Sequence, residues 1–213
     1  MKSIEASENI LGTLGFTRWK NREAVQTPVE GQQWKSLQSE VASCRLCDLC
    51  KTRKQTVFGV GNQQADLVII GEAPGFYEDQ QGEPFVGRAG QLLNSMLQSM
   101  GLQRESVYIA NVLKCRPPEN RDPRPEEVLR CTPYLRRQLE LLQPKCILAV
   151  GRIAAHFLLD CTTPLGKMRG KEYQYGTHNT PLYVTYHPAY LLRNPADKRH
   201  AWTDLQLVQK RLE

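Results

Sequence analysis

Four cysteines in two distant pairs are the residues of this 213-residue chain whose types and spacing could bind a metal. Cys44 and Cys47 form a C-x-x-C motif, and Cys115 and Cys131 form a second, wider pair. Four thiolates suit zinc or an iron–sulfur cluster, and spacing alone does not separate the two. Cys50 extends the first pair to C-x-x-C-x-x-C and is a rival ligand. A metal held by both pairs would join the two flanks of the segment between them.

A second set of chemically useful side chains follows short apolar runs of the sequence. The runs cover residues 67–70, 107–110, 146–150 and 182–186. Each is nearly continuous in apolar or aromatic residues, which is typical of strands buried on both faces. Glu72 lies in the loop after the first run, Asn111 ends the second, and His187 follows the fourth. Because ligands of open α/β sheets bind at the carboxyl ends of the strands, we expect these three residues to meet in one crevice.

The elements that must position these residues can be predicted from periodicity. Helical patterns lie at 88–100, 125–142, 152–159 and about 197–212, and another runs from Trp34 to about Cys50. Strands that alternate with helices predict a three-layer α/β/α fold with a central four-stranded parallel sheet. Residues 1–33 show weak periodicity and end in a turn-rich stretch, so we predict an N-terminal extension and linker before a domain at 34–213.

Cysteine count, composition and charge set the expected compartment and partner. The odd count of seven cysteines argues against a disulfide scaffold, and Cys146 and Cys161 are expected to be plain buried thiols. No run of eighteen apolar residues and no secretory signal is seen, so we expect a cytoplasmic protein without membrane contact. The net charge is +6, and residues 164–200 hold six basic side chains against two acidic ones. This excess suggests a polyanionic partner, with a merely solvated basic surface as the alternative.

Several motifs occur in an order that resembles a known family. They are Gly-Glu-Ala-Pro-Gly at 71–75, Pro-Phe-Val-Gly at 84–87, Asn111 before Lys-Cys-Arg-Pro at 114–117, and His-Pro-Ala-Tyr at 187–190. With the four cysteines, they resemble the iron–sulfur uracil-DNA glycosylases, often called family four, over roughly residues 38–212. The resemblance implies the fold of that family and a 4Fe–4S cluster on Cys44, Cys47, Cys115 and Cys131. It also implies hydrolysis of the N-glycosidic bond of deoxyuridine in DNA.

The resemblance implies a role for each matching pocket residue. Phe85 would stack on the flipped base, and Asn111 would read the uracil edge, donating to O4 and accepting from N3–H. Glu78 would lie against C5 and exclude the methyl group of thymine. His187 would donate to O2, where charge develops as the bond breaks. Glu72 would either orient water or favour the developing cation.

The remaining assignments concern the rest of the substrate. Gly71 and Ala73, which flank Glu72, are assigned to substrate binding by the same resemblance. Leu191, Leu192 and Arg193 resemble a DNA-probing loop, in which exposed leucines would fill the gap left by the flipped base. The alternative is that both leucines pack in the core. Lys167 and Arg169 would form a second contact to the DNA backbone.

The expected partner is uracil-containing DNA, single- or double-stranded, bound by a monomer. A different class of function is also open, in which the same fold is a non-catalytic DNA-binding module with a structural or redox-sensing cluster. The joint presence of Glu72, Asn111 and His187 argues against that second hypothesis.

Overall fold

The structure is a computed structural model that describes residues 28–213, with side chains from residue 31 onward. Residues 1–27 of the predicted extension lie outside the described residues. Six strands of the described chain form one sheet. They are β1 (Val60–Gly61), β2 (Leu67–Gly71), β3 (Tyr108–Asn111), β4 (Cys146–Val150), β5 (Glu172–Tyr175) and β6 (Thr180–Thr185). Their order across the sheet is β1-β3-β2-β4-β6-β5.

The four predicted strands form the parallel centre of this sheet, as expected. β3, β2, β4 and β6 pair in parallel, whereas β1 and β5 pair antiparallel at the two edges. The prediction of a four-stranded sheet is therefore corrected to six strands in a mixed sheet. The edge strands escaped prediction because β1 has two residues and β5 reads Glu-Tyr-Gln-Tyr, half exposed rather than apolar.

Nine α-helices are present in the described residues. They are α1 (Pro28–Ser43), α2 (Leu49–Thr52), α3 (Phe76–Gln81), α4 (Arg88–Ser99), α5 (Pro125–Leu142), α6 (Arg152–Leu159), α7 (Leu165–Met168), α8 (Pro188–Arg193) and α9 (Lys198–Leu212). The helices predicted at 88–100, 125–142, 152–159 and 197–212 are confirmed. The helix predicted to run from Trp34 to Cys50 is wrong, because α1 ends at Ser43 and a bend carries the C-x-x-C motif before α2 begins.

The core lies on both faces of the sheet, which explains the continuous apolar runs. Along β2, Val68 and Ile70 pack on the same face as residues of α1, α5 and α6. Leu67 and Ile69 point to the opposite face, which α4 and α9 cover. This alternation is the period-two geometry of a strand, with both faces buried. The three-layer α/β/α prediction is thus confirmed, and the carboxyl ends of the central strands are left free to carry loops.

None of the helices between Pro28 and Glu213 combines the length and the apolar character that crossing a bilayer would require.

Candidate active site

The carboxyl ends of β2 and β3 meet in register, with Gly71 paired to Asn111. A Cβ atom added to Gly71 would lie 2.4 Å from Asn111 Oδ1 and 2.6 Å from Phe85 Cζ. The Phe85 and His187 rings face each other with centroids 5.6 Å apart and planes tilted by 30°. Gly151, at the end of β4, leaves room for the His187 side chain, since an added Cβ would lie 3.0 Å from His187 Cβ. The predicted convergence at the strand ends is confirmed for Asn111 and His187, which meet at Phe85.

Phe85 holds a strained backbone position. Its φ of 53° lies in the left-handed region, which an aromatic residue seldom adopts. The Glu78 carboxylate fixes the loop, because its Oε1 accepts hydrogen bonds from Val86 N at 2.9 Å and Gly87 N at 3.1 Å. Gly90 lets α4 approach, since a Cβ there would lie 1.7 Å from the Phe85 carbonyl oxygen. Strain that surrounding contacts hold in place is characteristic of functional sites.

Asn111 carries an unusual polar atom. Its side chain is buried, and Oδ1 has no hydrogen-bond partner in the described part of the chain. A buried acceptor without a partner costs about 1–3 kcal/mol. The same oxygen and the Phe85 ring both approach the Gly71 backbone closely, which only a residue without a side chain allows. The set of Gly71, Phe85, Asn111 and His187 is called the base pocket below.

His187 is a hydrogen-bond donor in a defined tautomer. It caps the N-terminus of α8, where Nδ1 accepts a hydrogen bond from Ala189 N at 3.1 Å. Burial, and secondarily the charge of Arg193, lowers the pKa of His187 to about 4. The ring is therefore neutral at pH 7, and with Nδ1 accepting, Nε2 carries the proton. The Nε2–H group can donate a hydrogen bond to an oxygen atom that gains negative charge.

Glu72 is a half-buried carboxyl group with a shifted pKa. Burial, and secondarily the charge of Asp122, raises its pKa to about 7 against the opposing charge of Arg152. Arg152 and Asp122 form an ion pair at 2.7 Å, so both charges are held near Glu72. A carboxyl group with a pKa near 7 can act as acid, base or electrostatic stabiliser at physiological pH.

The sequence model of the Uracil DNA glycosylase superfamily matches residues 58–206 of this chain. The chain belongs to this superfamily. It is 49% identical to the Type-4 uracil-DNA glycosylase of Archaeoglobus fulgidus over 175 residues, which are 79% of this chain and 88% of that protein.

Two further relatives carry the same name. The Type-4 uracil-DNA glycosylase of Saccharolobus solfataricus is 43% identical over 81% of this chain and 83% of its own length. That of Thermotoga maritima is 43% identical over 74% of this chain and 82% of its own length. The family suggested by the motifs is thus confirmed over most of the chain.

The predicted DNA-contacting residues of this superfamily member divide into two groups. Leu192 is 37% exposed, and Arg193 and Lys167 are exposed as expected. Leu191 is only 1% exposed and packs in the core beside α4 and α9, so its prediction as an exposed leucine is wrong. It occupies the inward face of α8, one residue away from the outward face that Leu192 takes.

Arg169 is also placed differently from the expectation. Its Nε donates to Asp204 Oδ2 at 2.7 Å, and its guanidinium lies 4.3 Å from the Tyr186 ring centroid. The same carboxylate accepts from Thr185 Oγ1 at 2.7 Å. This ion pair and ring contact give Arg169 a structural role, and its predicted contact to the DNA backbone stays a prediction. Asp204 was missed, because a lone Asp in an amphipathic helix gives no sequence signal.

Five of the seven cysteines line a second pocket, next to the loop after β3. The sulfur-bearing residues that line it are Cys44, Cys47, Cys50, Cys115 and Cys131. The volume of this pocket is about 330 Å³, including its open mouth. This cysteine pocket also contains the predicted set of four, and Cys50 stays a rival ligand. Cys146 is buried in β4 and Cys161 is half-buried, both away from this pocket.

Cations and amide groups surround the sulfur atoms of the cysteine pocket. Arg53 Nη1 donates to Cys115 Sγ at 2.9 Å, and Lys114 N donates to Cys131 Sγ at 3.2 Å. Burial raises the pKa of the Cys115 and Cys131 thiols, to about 11 and about 12, so metal binding would have to deprotonate them. Donors and positive charge at the sulfurs favour a thiolate-bound metal group.

The potential ligands of the cysteine pocket are thiols. Among the described residues, no three His, Cys, Asp or Glu side chains come together closely enough to hold one metal ion as they stand. Cysteine thiolates are the ligands that iron–sulfur clusters use, and zinc accepts the same ligands, so the donor set fits a thiolate-bound metal group. Ala73 packs against the Leu49, Leu113, Cys115 and Cys131 side chains, on the cysteine side of its loop.

Proposed function

We propose that this chain is a DNA repair enzyme that hydrolyses the N-glycosidic bond of deoxyuridine in DNA, releasing uracil and leaving an abasic site. The observation that carries the proposal is the buried, unpartnered Oδ1 of Asn111 beside the Phe85 ring and the His187 donor. Membership of the superfamily and the similarity to Type-4 uracil-DNA glycosylases of other organisms support the same activity.

Recognition of the base follows from the geometry of the base pocket. A flipped uracil stacks on Phe85, and its N3–H donates to the Asn111 oxygen that has no partner in the protein. The Asn111 amide nitrogen donates to uracil O4. Cytosine presents an acceptor at N3 and a donor at N4, so it would leave both groups of the Asn111 amide unsatisfied. Glu78, which orders the loop carrying Phe85, lies against C5 and excludes the thymine methyl group.

Bond breaking depends on where charge develops. As the bond between C1′ and N1 lengthens, the sugar becomes cationic and negative charge accumulates on uracil O2. The neutral His187 ring donates Nε2–H to O2, and its position is fixed in advance by the hydrogen bond from Ala189 N. A water molecule completes the hydrolysis by adding to C1′, and the proton that it loses neutralises the departing uracil anion. The Glu72 carboxylate either orients that water or stabilises the cationic sugar, and only its ionised form serves both roles.

The rest of the substrate is held by exposed side chains near the base pocket. Arg193 and Lys167, which are both exposed, contact phosphates, and the exposed Leu192 enters the gap left by the flipped base. Because these contacts involve one strand, both single- and double-stranded DNA are accepted, and a monomer is sufficient.

We also propose that Cys44, Cys47, Cys115 and Cys131 hold a 4Fe–4S cluster. When bound, the cluster would supply a structural cross-link between the bend after α1, the loop after β3 and helix α5. The chain connects this link to the base pocket, because Asn111 precedes Cys115 by four residues and Lys114 Nζ donates to the Asn111 carbonyl at 2.9 Å. The cluster takes no part in the hydrolysis.

The activity is tested with the purified chain and an oligonucleotide that contains one uracil. We expect alkali-sensitive breakage at the uracil position after incubation, and no breakage of a strand with thymine or cytosine at the same position. Binding without breakage over a range of salt concentrations would favour the non-catalytic DNA-binding module instead.

The cluster is tested on protein purified without exposure to air. We expect a brown protein with about four irons and four sulfides for each chain. Serine at Cys44, Cys47, Cys115 or Cys131 should lower the iron content, and serine at Cys50 should leave it unchanged. A colourless protein loaded with zinc would contradict the assignment.

A further inference from the structure

Two aromatic rings beside the base pocket face solvent. Phe76 and Tyr77 open α3 directly after the Gly71–Gly75 loop, and their side chains are 49% and 58% exposed. The rings pack edge to face, with centroids 5.4 Å apart and planes at 83°. On the same short helix Asp79 is buried and accepts a hydrogen bond from Lys54 N at 2.9 Å. Helix α3 therefore exposes its large apolar side chains and buries a carboxylate, the reverse of the usual partition.

These rings lie at the rim of the base pocket. A Cβ atom added to Gly87 would be 3.3 Å from Tyr77 Cδ2, so the Tyr77 ring packs against the loop that carries Phe85. The next residue of the helix, Glu78, holds Val86 and Gly87 through their amide groups. A strand that delivers a base to Phe85 must pass this rim, and its neighbouring nucleotides then lie close to Phe76 and Tyr77.

Positive charge accompanies the two rings. The Arg116 guanidinium lies 5.1 Å from the centroid of the Phe76 ring. Arg88 is exposed and directly follows Gly87, against which Tyr77 packs. Aromatic faces interleaved with cations suit single-stranded nucleic acid, because the rings stack on bases while the cations meet phosphates. An apolar protein segment would cover the rings and leave these cations without anionic partners.

We propose that Phe76 and Tyr77, supported by Arg116, form a stacking platform for the base that neighbours the flipped uracil on the same strand. The inference rests on the proposed function and adds a second base-binding position to it. When uracil leaves the stack, the neighbouring base loses a stacking partner, and the platform replaces that partner with a protein ring. This contribution matters most for single-stranded DNA, where the opposite strand does not order the neighbouring base.

The test combines a protein variant with altered substrates. The doubly substituted Phe76→Ala, Tyr77→Ala chain is compared with the unaltered chain on strands whose 2′-fluorodeoxyuridine resists cleavage, and binding is measured by fluorescence anisotropy. One strand is intact, and two others carry a tetrahydrofuran abasic residue on the 5′ or 3′ side of the uracil. We expect the variant to bind the intact strand roughly fivefold to a hundredfold more weakly, the range for loss of base–aromatic stacking.

The altered strands decide whether the lost contact is to the neighbouring base. The affinity of the unaltered chain should be lower by a similar factor on one of the abasic strands than on the intact strand. The double variant should bind that abasic strand about as tightly as it binds the intact strand. Leu129→Ala, which removes a 74% exposed side chain from α5, is the control and should bind like the unaltered chain.

Two results would overturn the platform. One is that the double variant binds the intact strand as tightly as the unaltered chain does. The other is that both proteins lose the same factor of affinity on both abasic strands, relative to the intact strand. A failure of the proposed function is distinguishable, because the unaltered chain would then release no uracil from an ordinary uracil strand.

Discussion

The base pocket and the cysteine pocket both contain a residue at or shortly after the end of β3, but their polar atoms differ in hydrogen bonding. In the base pocket, Asn111 Oδ1 is buried without a partner, one of two such side-chain atoms among the described residues, and Phe85 is strained. In the cysteine pocket, the Cys115 and Cys131 sulfurs both accept hydrogen bonds from protein donors. The base pocket thus leaves an acceptor open for a substrate, whereas two sulfurs of the cysteine pocket already have protein donors, which would stabilise the thiolates of a bound metal group.

The strongest test of this difference removes the donor of the base pocket. His187→Ala should slow uracil release under single-turnover conditions by about a hundredfold to a thousandfold, the usual cost of losing one preorganised donor to a developing anion. The variant also loses the cap that Nδ1 gives α8, so the free energy of unfolding should fall by about 0.5–2 kcal/mol, and the rate is measured where the variant stays folded. His178→Ala, an exposed histidine in the turn between β5 and β6, is the control and should keep full activity. A His187→Ala rate within threefold of the unaltered chain, well short of that cost, would rule out the donor role.

The second test disturbs the close approach of Asn111 and Phe85 to Gly71 in the base pocket. In Gly71→Ala the added methyl group would meet Asn111 Oδ1 at 2.4 Å and the Phe85 ring at 2.6 Å, so both must move. We expect uracil release to fall by at least about tenfold, since small displacements of substrate-positioning groups are costly. Gly166→Ala, where an added Cβ meets nothing within 4 Å, is the matched control and should be neutral. Equal activity of the two variants would show that the pocket can relax around a methyl group.

The sequence predicted the base pocket better than the surface around it. Strand ends could be located from four apolar runs, so the meeting of Asn111 and His187 followed from the rule for parallel sheets. Leu191 and Leu192 are adjacent and chemically alike, and only the packing of α8 decides which one faces the core. Arg169 could not be assigned either, because its partner Asp204 lies 35 residues away in another element. Short-range pattern thus predicts buried strands well and exposed side-chain partners poorly.

The third test removes the Lys114 amine, which hydrogen-bonds to Asn111 of the base pocket from the residue next to Cys115. Lys114 is fully buried, and its Nζ donates to the carbonyl oxygens of Asn111 at 2.9 Å and Phe58 at 3.2 Å. Lys114→Met keeps the aliphatic stem and leaves both carbonyls without this donor. We expect the free energy of unfolding to fall by about 1–3 kcal/mol, measured by denaturant titration, because the Asn111 and Phe58 carbonyls each lose a donor, and Phe58 keeps the bond from Gln138 Nε2.

The Lys114 variant also distinguishes a link from a simple packing residue. A link between the pockets should lower the rate of uracil release in addition to stability, while iron content stays the same. Lys145→Met, which removes an exposed cation paired with Asp66 at 2.8 Å, should change neither quantity noticeably. Loss of stability with an unchanged rate would confine Lys114 to a structural role.

The smallest expected effect is a change in the pKa of Glu72, which depends on the charges of Asp122 and Arg152. Glu72 has a pKa of about 7, and if its carboxylate form is needed, the single-turnover rate should rise as pH increases through about 7. Asp122→Asn removes a negative charge and frees Arg152, and both changes lower the pKa of Glu72, so the rising limb should move to lower pH. Arg152→Gln should move it to higher pH by the reverse argument. Asp66→Asn, at the amino end of β2 and so at the opposite end of that strand from Glu72, should leave the profile unmoved. A profile that is flat across pH 7 would mean that Glu72 does not titrate in the rate-determining step.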